Sequence, residues 1–311
     1  MRAPIRVPLR RGSEAISPTA HYTGHVWGRN GLSHQELATS EGRVLFELLA
    51  PAMAVSRALG GPTLEGLLLA RHRIIDELLA CAIDDGRVQQ VLEIGCGMSP
   101  RGWRFAERYG ERLTYVEADL PAMAARKRAA LERMGPPRES HRVAEIDALR
   151  DDGPQSVAGV ASALDRGRGL AIIAEGLLPY FDEQNVLCMW RRIARELTRF
   201  SAGLYLADLA LGGSGRSGVD RAFLAVLSAF VRGRVHTHFQ GRAAAERALL
   251  EAGFAQARLY RADRHPAAGA AGRDPAAARV HIVEASSKPP LDPPAVRSAR
   301  SGFGTSPKCG L

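Results

Sequence analysis

The chain has 311 residues, 46% of them hydrophobic, which is enough for one large or two small domains around a buried core. No apolar run approaches the roughly eighteen residues that a membrane span needs, which argues for a soluble protein and against a membrane partner. The net charge of +9, from 42 basic and 33 acidic residues, raises nucleic acid as a partner. Against it, the excess lies partly in Arg2, Arg6, Arg10 and Arg11, is otherwise dispersed among acids, and comes with no recognisable nucleic-acid module.

Cys81, Cys96, Cys188 and Cys309 share no Cys-x-x-Cys spacing, and the His/Cys pattern fits no zinc site. They read as reduced thiols of a cytoplasmic protein with no metal centre. The amino terminus carries arginines but no apolar stretch of the kind a signal peptide needs.

Residues 1–17 read as a flexible arm. Residues 18–86 read as an N-terminal helical cap. It opens on an aromatic and polar stretch with Tyr22, His25 and Trp27, followed by helical periodicity from Glu36 to Ala58 behind a Ser33/Glu36 capping box. A second helix is expected from Leu64 to Ile83, carrying Arg71, His72 and Arg73.

From residue 87 to 285 strands alternate with helices. Strands are expected at Gln90–Ile94, Leu113–Asp119, His141–Ile146, Leu170–Ala174 and Gly203–Ala207. Helices between successive strands imply right-handed crossovers and a parallel, doubly wound α/β sheet. Glu93, Asp119, Asp147, Glu175 and Asp208 all fall at or near the carboxyl ends of these strands, where such sheets bind ligands. A glycine-rich link at 212–215 opens a lid segment, 211–240, with an apolar helix Val219–Val231 and then His236 and His238. Two last strands, Phe254–Arg261 and Ala278–Glu284, have no helix between them and predict an antiparallel hairpin at the sheet edge. Residues 286–311, rich in Pro, Ser and Gly, read as a disordered tail.

The chain is organised around the first strand and its glycine turn, Val91 to Trp103. Gly95 and Gly97 let backbone N–H groups approach a nucleotide-like ligand. Asp119 ends the next strand, where an acid can accept both hydroxyls of an adenosine ribose. Pro100 stands where a dinucleotide fingerprint has its third glycine. A ligand with a ribose but no phosphate does not need that glycine, and S-adenosylmethionine (SAM) is such a ligand. Glu93, just before the turn, also suits a cation better than a polyphosphate.

With these residues the chain resembles the leucine carboxyl methyltransferase superfamily, class I SAM-dependent enzymes with a Rossmann-like sheet. It is most similar to the branch named for tetracenomycin-type polyketide O-methyltransferases, over about residues 18–285. Five stretches carry the resemblance: Ala70 to Arg73, Glu93 to Met98, Tyr115 to Pro121, Asp147 to Asp151 and Ala174 to Phe181. It implies that Arg71 pairs with the SAM carboxylate, that Asp119 holds the ribose, that Asp147, Ala148 and Leu149 lie by the adenine, and that Glu175 lies by the methionine ammonium. Ala148 is an insertion relative to the family pattern, and no equivalent of the family's N-terminal lysine is found.

The implied activity is SAM-dependent O-methylation of a carboxyl or hydroxyl group on a small, polyketide-like metabolite. The methyl of a sulfonium is already activated, so the protein mainly positions the acceptor. A hydroxyl acceptor would gain from a base, for which His236, His238, Tyr22 and His25 are candidates. Two other readings stand beside this one: an NAD(P)-dependent oxidoreductase, and a non-catalytic module binding SAM or RNA. Nothing in the sequence names the acceptor or the oligomeric state.

Overall fold

The computed structural model describes residues 18–136, 138–212 and 236–288. Three helices come first: α1 (Pro18–Arg29), α2 (Ser40–Ala58) and α3 (Leu64–Asp84). The alternating part follows, with β1 (Gln90–Ile94), α4 (Arg101–Tyr109), β2 (Thr114–Asp119), α5 (Pro121–Met134) and β3 (His141–Glu145). It continues with α6 (Val157–Ala161), β4 (Leu170–Ala174), α7 (Glu183–Leu197), β5 (Gly203–Leu209), α8 (Arg242–Glu251), β6 (Gln256–Arg261) and β7 (His281–Ser286).

The seven strands form one sheet in the order β3-β2-β1-β4-β5-β7-β6. Strands β1 to β5 pair in parallel, and β7 runs antiparallel to both β5 and β6. The expected terminal hairpin is present, with its second strand inserted beside β5 and its first at the edge. The direction of strand order reverses between β1 and β4, which places a crevice at their carboxyl ends.

Successive side chains along a strand point to opposite faces, so each strand feeds two cores. On one face Leu92, Ile94, Val116, Ile172 and Tyr205 pack with Trp190 and Ile193 of α7. On the other, Val91, Tyr115, Ile173 and Leu206 pack with Ile74, Ile75 and Leu79 of α3 and with Val26 and Trp27 of α1. Helix α3, expected as part of a cap, therefore lies directly on the sheet.

Local chemistry moves some boundaries. The Ser33/Glu36 capping box does not form: the Glu36 N–H is accepted by His34 Nδ1, and only a short 3-10 turn, Gln35–Leu37, follows. Helix α2 starts instead behind Thr39, whose hydroxyl oxygen accepts the Gly42 N–H at 3.1 Å and lies 2.8 Å from His21 Nδ1. That second contact ties the cap to α1, which a capping box at Ser33 would not. Residues 263–277, expected as a long loop rich in alanine, glycine and proline, fold with their immediate neighbours into 3-10 turns whose Ala268, Ala271, Ala276 and Ala277 are buried. Among them Asp274 accepts from the Thr63 backbone N–H at 3.1 Å and hydroxyl at 2.6 Å, clamping the start of α3.

The crossing of α1 and α2 rests on Gly42, where an added Cβ would lie 2.2 Å from the His21 carbonyl oxygen. Backbone cannot yield as a flexible side chain does. Gly42→Ala is expected to destabilise the fold by about 1–3 kcal/mol, toward the upper end, although alanine is the better helix former. Urea denaturation checks this; a neutral or stabilising effect would mean that the helices do not cross here.

Candidate active site

The turn after β1 depends on two glycines in the left-handed region, Gly95 at φ 69° and Gly97 at φ 49°. Strand β2 holds it from the side: the Ala118 carbonyl accepts the Gly95 N–H at 2.8 Å, and Asp119 Oδ2 accepts the Gly97 N–H at 2.7 Å. Asp119 Oδ1 accepts the Leu120 N–H at 2.8 Å. Burial raises the Asp119 carboxyl from its ordinary value, against the pull of those two N–H groups and of Lys127. A carboxylate offers about four acceptor positions, so two remain after these bonds. Helix α1 runs close over the turn, since a Cβ on Gly97 would lie 3.5 Å from Ala20 Cβ and one on Gly24 3.7 Å from Met98 Cβ.

Beneath the turn lies a buried ion cluster. Lys127 of α5 pairs with Glu117 Oε1 at 2.8 Å and donates to the Ser99 carbonyl. His141 Nε2 lies 2.9 Å from the other oxygen of Glu117. Gly102 is required here, because a Cβ would meet Glu117 at 2.5 Å.

A second and larger cluster joins α3, α4 and the carboxyl ends of β1, β4 and β5. Arg71 donates from Nε to Glu175 Oε1 and from Nη1 to Asp208 Oδ2, both at 3.0 Å. Its Nη2 makes no hydrogen bond to the described residues and lies beside Gly176, where a Cβ would be 2.8 Å away. Gly176 has φ 71° and donates its N–H to Asp208 Oδ1 at 2.5 Å. Arg101, fully buried, reaches Asp76 at 2.6 Å, Glu93 at 2.7 Å and Glu175. His72 Nδ1 lies 2.9 Å from Glu175 Oε2, and Arg104 donates to Asp76 at 2.7 Å. Burial opposes the charge on Glu175, but His72, Arg101 and Arg71 outweigh it and hold the carboxyl well below the usual range. Three guanidiniums, Arg71, Arg101 and Arg104, thus face four carboxylates, Asp76, Glu93, Glu175 and Asp208, with His72 among them.

The sequence-derived candidates separate accordingly. Arg71, Glu175 and Asp208 come together at the switch point, beside the turn of Gly95 and Gly97. Glu93 joins them from below: its oxygens are taken by Arg101 and by the Tyr115 hydroxyl at 2.6 Å. Glu93 thus braces Arg101 within the core. Asp147 lies beyond β3, where its Oδ1 accepts the Leu149 N–H at 3.0 Å. The preceding Ile146 N–H donates to the Asp119 carbonyl at 2.8 Å, bringing this loop to the turn. The inserted Ala148 is absorbed into the core.

Tyr22 is buried and stacked on Phe46 at 5.7 Å, and burial pushes its hydroxyl up to about 12. His25 lies against the same ring at 4.9 Å, with its value lowered by burial and then by Arg29 and Arg43. Both belong to the packing of α1 on α2. Trp27 packs on His72 at 4.9 Å and so touches the ion cluster itself. Residues 236–238 run past the ends of β4 and β5: His236 N–H donates to the Pro179 carbonyl and His238 N–H to the Ala210 carbonyl, both at 3.0 Å. His238 Nε2 lies 2.8 Å from the Phe181 carbonyl, to which it can only donate; in the neutral ring Nδ1 is then the unprotonated nitrogen, and it is buried without a hydrogen-bond partner among the described residues. Residues 213–235 of the expected lid, including Val219–Val231, lie outside the described residues.

Arg101, Asp76 and Lys127 were not singled out from sequence. Arg101 did carry a signal: it opens α4, where a cation opposes the helix dipole unless carboxylates surround it.

The sheet order is that of the class I SAM methyltransferase fold. A solved candidate methyltransferase from Thermobifida fusca shares it with a TM-score of 0.60, at 12% identity over 86% of this chain and 94% of that one. A DUF574 family protein from Streptomyces avermitilis does so with a TM-score of 0.59, at 15% identity over 88% and 98%. The sequence profile of the leucine carboxyl methyltransferase family matches residues 32–194, and the chain belongs to that family. It is 33% identical, over 148 residues, to a protein of Streptomyces coelicolor named as a candidate SAM-dependent methyltransferase; the match covers 48% of this chain and 49% of that one. A similarly named protein of Mycobacteroides abscessus is 35% identical over 111 residues, 35% of this chain and 33% of its own. The chain thus spans about half or less of the length of these relatives. Among the described residues no helix is long and apolar enough to cross a membrane, and no group of His, Cys, Asp and Glu could hold a metal.

Proposed function

We propose that the chain is a SAM-dependent methyltransferase that methylates an oxygen of a small-molecule acceptor. The observation that carries this is the Arg71–Glu175–Asp208 cluster at the switch point, where two buried carboxylates hold a guanidinium whose Nη2 makes no hydrogen bond to the described residues. SAM supplies a methyl group activated on a sulfonium, and its carboxylate and ammonium call for a guanidinium and for carboxylates, which is the donor set present here. Arg71, held by Glu175 and Asp208, offers Nη2 to the carboxylate. The two carboxylates complement the ammonium. Asp119 retains two acceptor positions for ribose hydroxyls, and the 147–149 loop, tied to the same turn, borders the adenine.

On this reading the acceptor binds on the side of Tyr180 and residues 236–238, which run past the ends of β4 and β5 through the bonds to Pro179 and Ala210. An acidic acceptor needs no base, whereas a hydroxyl acceptor would find one in the unprotonated Nδ1 of His238. Burial lowers the His238 value and so keeps that nitrogen free of a proton near neutral pH.

The test is calorimetric. SAM is expected to bind and NAD not to, and Asp119→Ala is expected to weaken SAM by about 1.5–3 kcal/mol, roughly 10- to 150-fold. Unchanged affinity in a folded variant would remove Asp119 from the ribose site. Alkaline treatment of the labelled product then separates the acceptor classes, since a methyl ester releases methanol and a methyl ether does not.

A further inference from the structure

Glu175 is gripped at both oxygens. Arg71 Nε donates to Oε1, while Arg101 Nη2 donates to Oε2 and His72 Nδ1 lies 2.9 Å from that same oxygen. Arg71 and His72 are neighbours on α3, and successive residues of a helix point about 100° apart. That angle separates their surroundings. The Arg71 side chain keeps 9% of its surface exposed and Glu175 keeps 5%, whereas His72 keeps none. A ligand at the switch point can therefore touch Arg71 and Glu175, but not the His72 ring.

The ring is fixed from several elements. Trp27 of α1 packs against it at 4.9 Å, and Nε2 lies 3.6 Å from Asp76 Oδ2 and 3.4 Å from Arg104 Nη1. Arg101 Nη2 is also 2.9 Å from Nδ1. Glu175, whose carboxyl lies well below the usual range, is ionised and can only accept. We therefore assign a hydrogen to Nδ1, donated to Oε2. A carboxylate offers about four acceptor positions. Arg101 and His72 fill both on Oε2 and Arg71 fills one on Oε1, so the position left is on Oε1, beside Arg71.

We propose that His72 is a positioning residue for cofactor binding: its Nδ1–H fixes the Glu175 carboxylate so that the remaining position on Oε1 is the one an ammonium takes. This rests on the proposed function and adds to it a residue that touches no ligand. Without that hydrogen, Oε2 has an unmet acceptor position in the core. An unmet buried acceptor is costly, so the carboxylate gains by swinging toward solvent, away from where Oε1 now stands.

The test is calorimetry on the full chain with SAM, S-adenosylhomocysteine, decarboxylated SAM and 5′-methylthioadenosine. Decarboxylated SAM keeps the ammonium but lacks the carboxylate that Arg71 is assigned to hold, and methylthioadenosine lacks both. Asparagine sets its amide nitrogen where Nδ1 stands, and glutamine sets its own where Nε2 stands. His72→Gln is expected to weaken the ligands that carry an ammonium about tenfold, the scale of a lost hydrogen bond to a charged group, and to leave methylthioadenosine unchanged. His72→Asn is expected to stay within about threefold of the parent for every ligand. A purely structural role would instead lower thermal melting in both variants and spread any loss of affinity over all the ligands alike. In the parent chain, the imidazole nitrogen resonances that vanish in either variant should show a hydrogen on Nδ1. No loss in His72→Gln, an equal loss for methylthioadenosine, a loss as large in His72→Asn, or an Nδ1 without hydrogen would overturn the proposal and leave the SAM reading intact. A parent chain that does not bind SAM would overturn both.

Discussion

Replacing Arg101 with methionine is expected to cost about 3–5 kcal/mol of folding stability, the scale for removing one partner of a buried ion pair. The guanidinium is fully buried and bridges Asp76, Glu93 and Glu175, all of which would lose a cation at once. The effect should depend on pH, and its sign follows from the two glutamates. Glu175 is held well below the usual carboxyl range, so its contribution is fully present at neutral pH and is lost as pH falls through that low value. Glu93 goes the other way. Burial raises it despite Arg101, so its contribution is greatest in acid and is lost as pH rises through the raised value. Without Arg101 both carboxyls move upward and both can become neutral by taking a proton. The deficit of Arg101→Met should therefore be largest near about pH 7 and shrink toward about pH 5. Urea denaturation across that range checks this, and a deficit that does not change with pH would mean that the cluster is solvated rather than buried.

Arg71→Lys is expected to weaken SAM and S-adenosylhomocysteine about 10- to 100-fold, roughly 1.4–2.8 kcal/mol, while leaving 5′-methylthioadenosine unchanged. Arg71 spends Nε on Glu175 and Nη1 on Asp208, and under the proposed function it has Nη2 left for the ligand carboxylate. Lysine keeps the charge but has a single nitrogen, which cannot reach both carboxylates and a ligand in those directions. Methylthioadenosine has no carboxylate and so isolates that contact. Calorimetry with the three ligands decides: equal loss for all three would assign Arg71 to the fold of the pocket, and no loss for any would remove it from the site.

The strand-end acids were legible because a doubly wound sheet collects the carboxyl ends of its parallel strands on one edge. Position in sequence is then nearly position in space. What each acid does was not legible. Asp119 closes the glycine turn, Asp147 caps its own loop, and Glu93 turns inward to Arg101 and Tyr115. These differences follow from contacts between elements far apart in the chain, as when Tyr115 of β2 meets Glu93 of β1.

By itself the sequence determined the alternation of strands and helices, the parallel sheet with its antiparallel end, the glycine turn after the first strand, and membership of the leucine carboxyl methyltransferase family through motifs around residues 71, 95, 119 and 175. Periodicity and backbone preference are local, so they survive without the fold. Only the tertiary structure decided that α3 lies on the sheet, so that Arg71 and His72 reach Glu175 across 104 and 103 positions of chain. It also decided that Arg101 is the hub of the cluster. Pairing of buried charges depends on which surfaces meet, and a one-dimensional pattern carries no record of that.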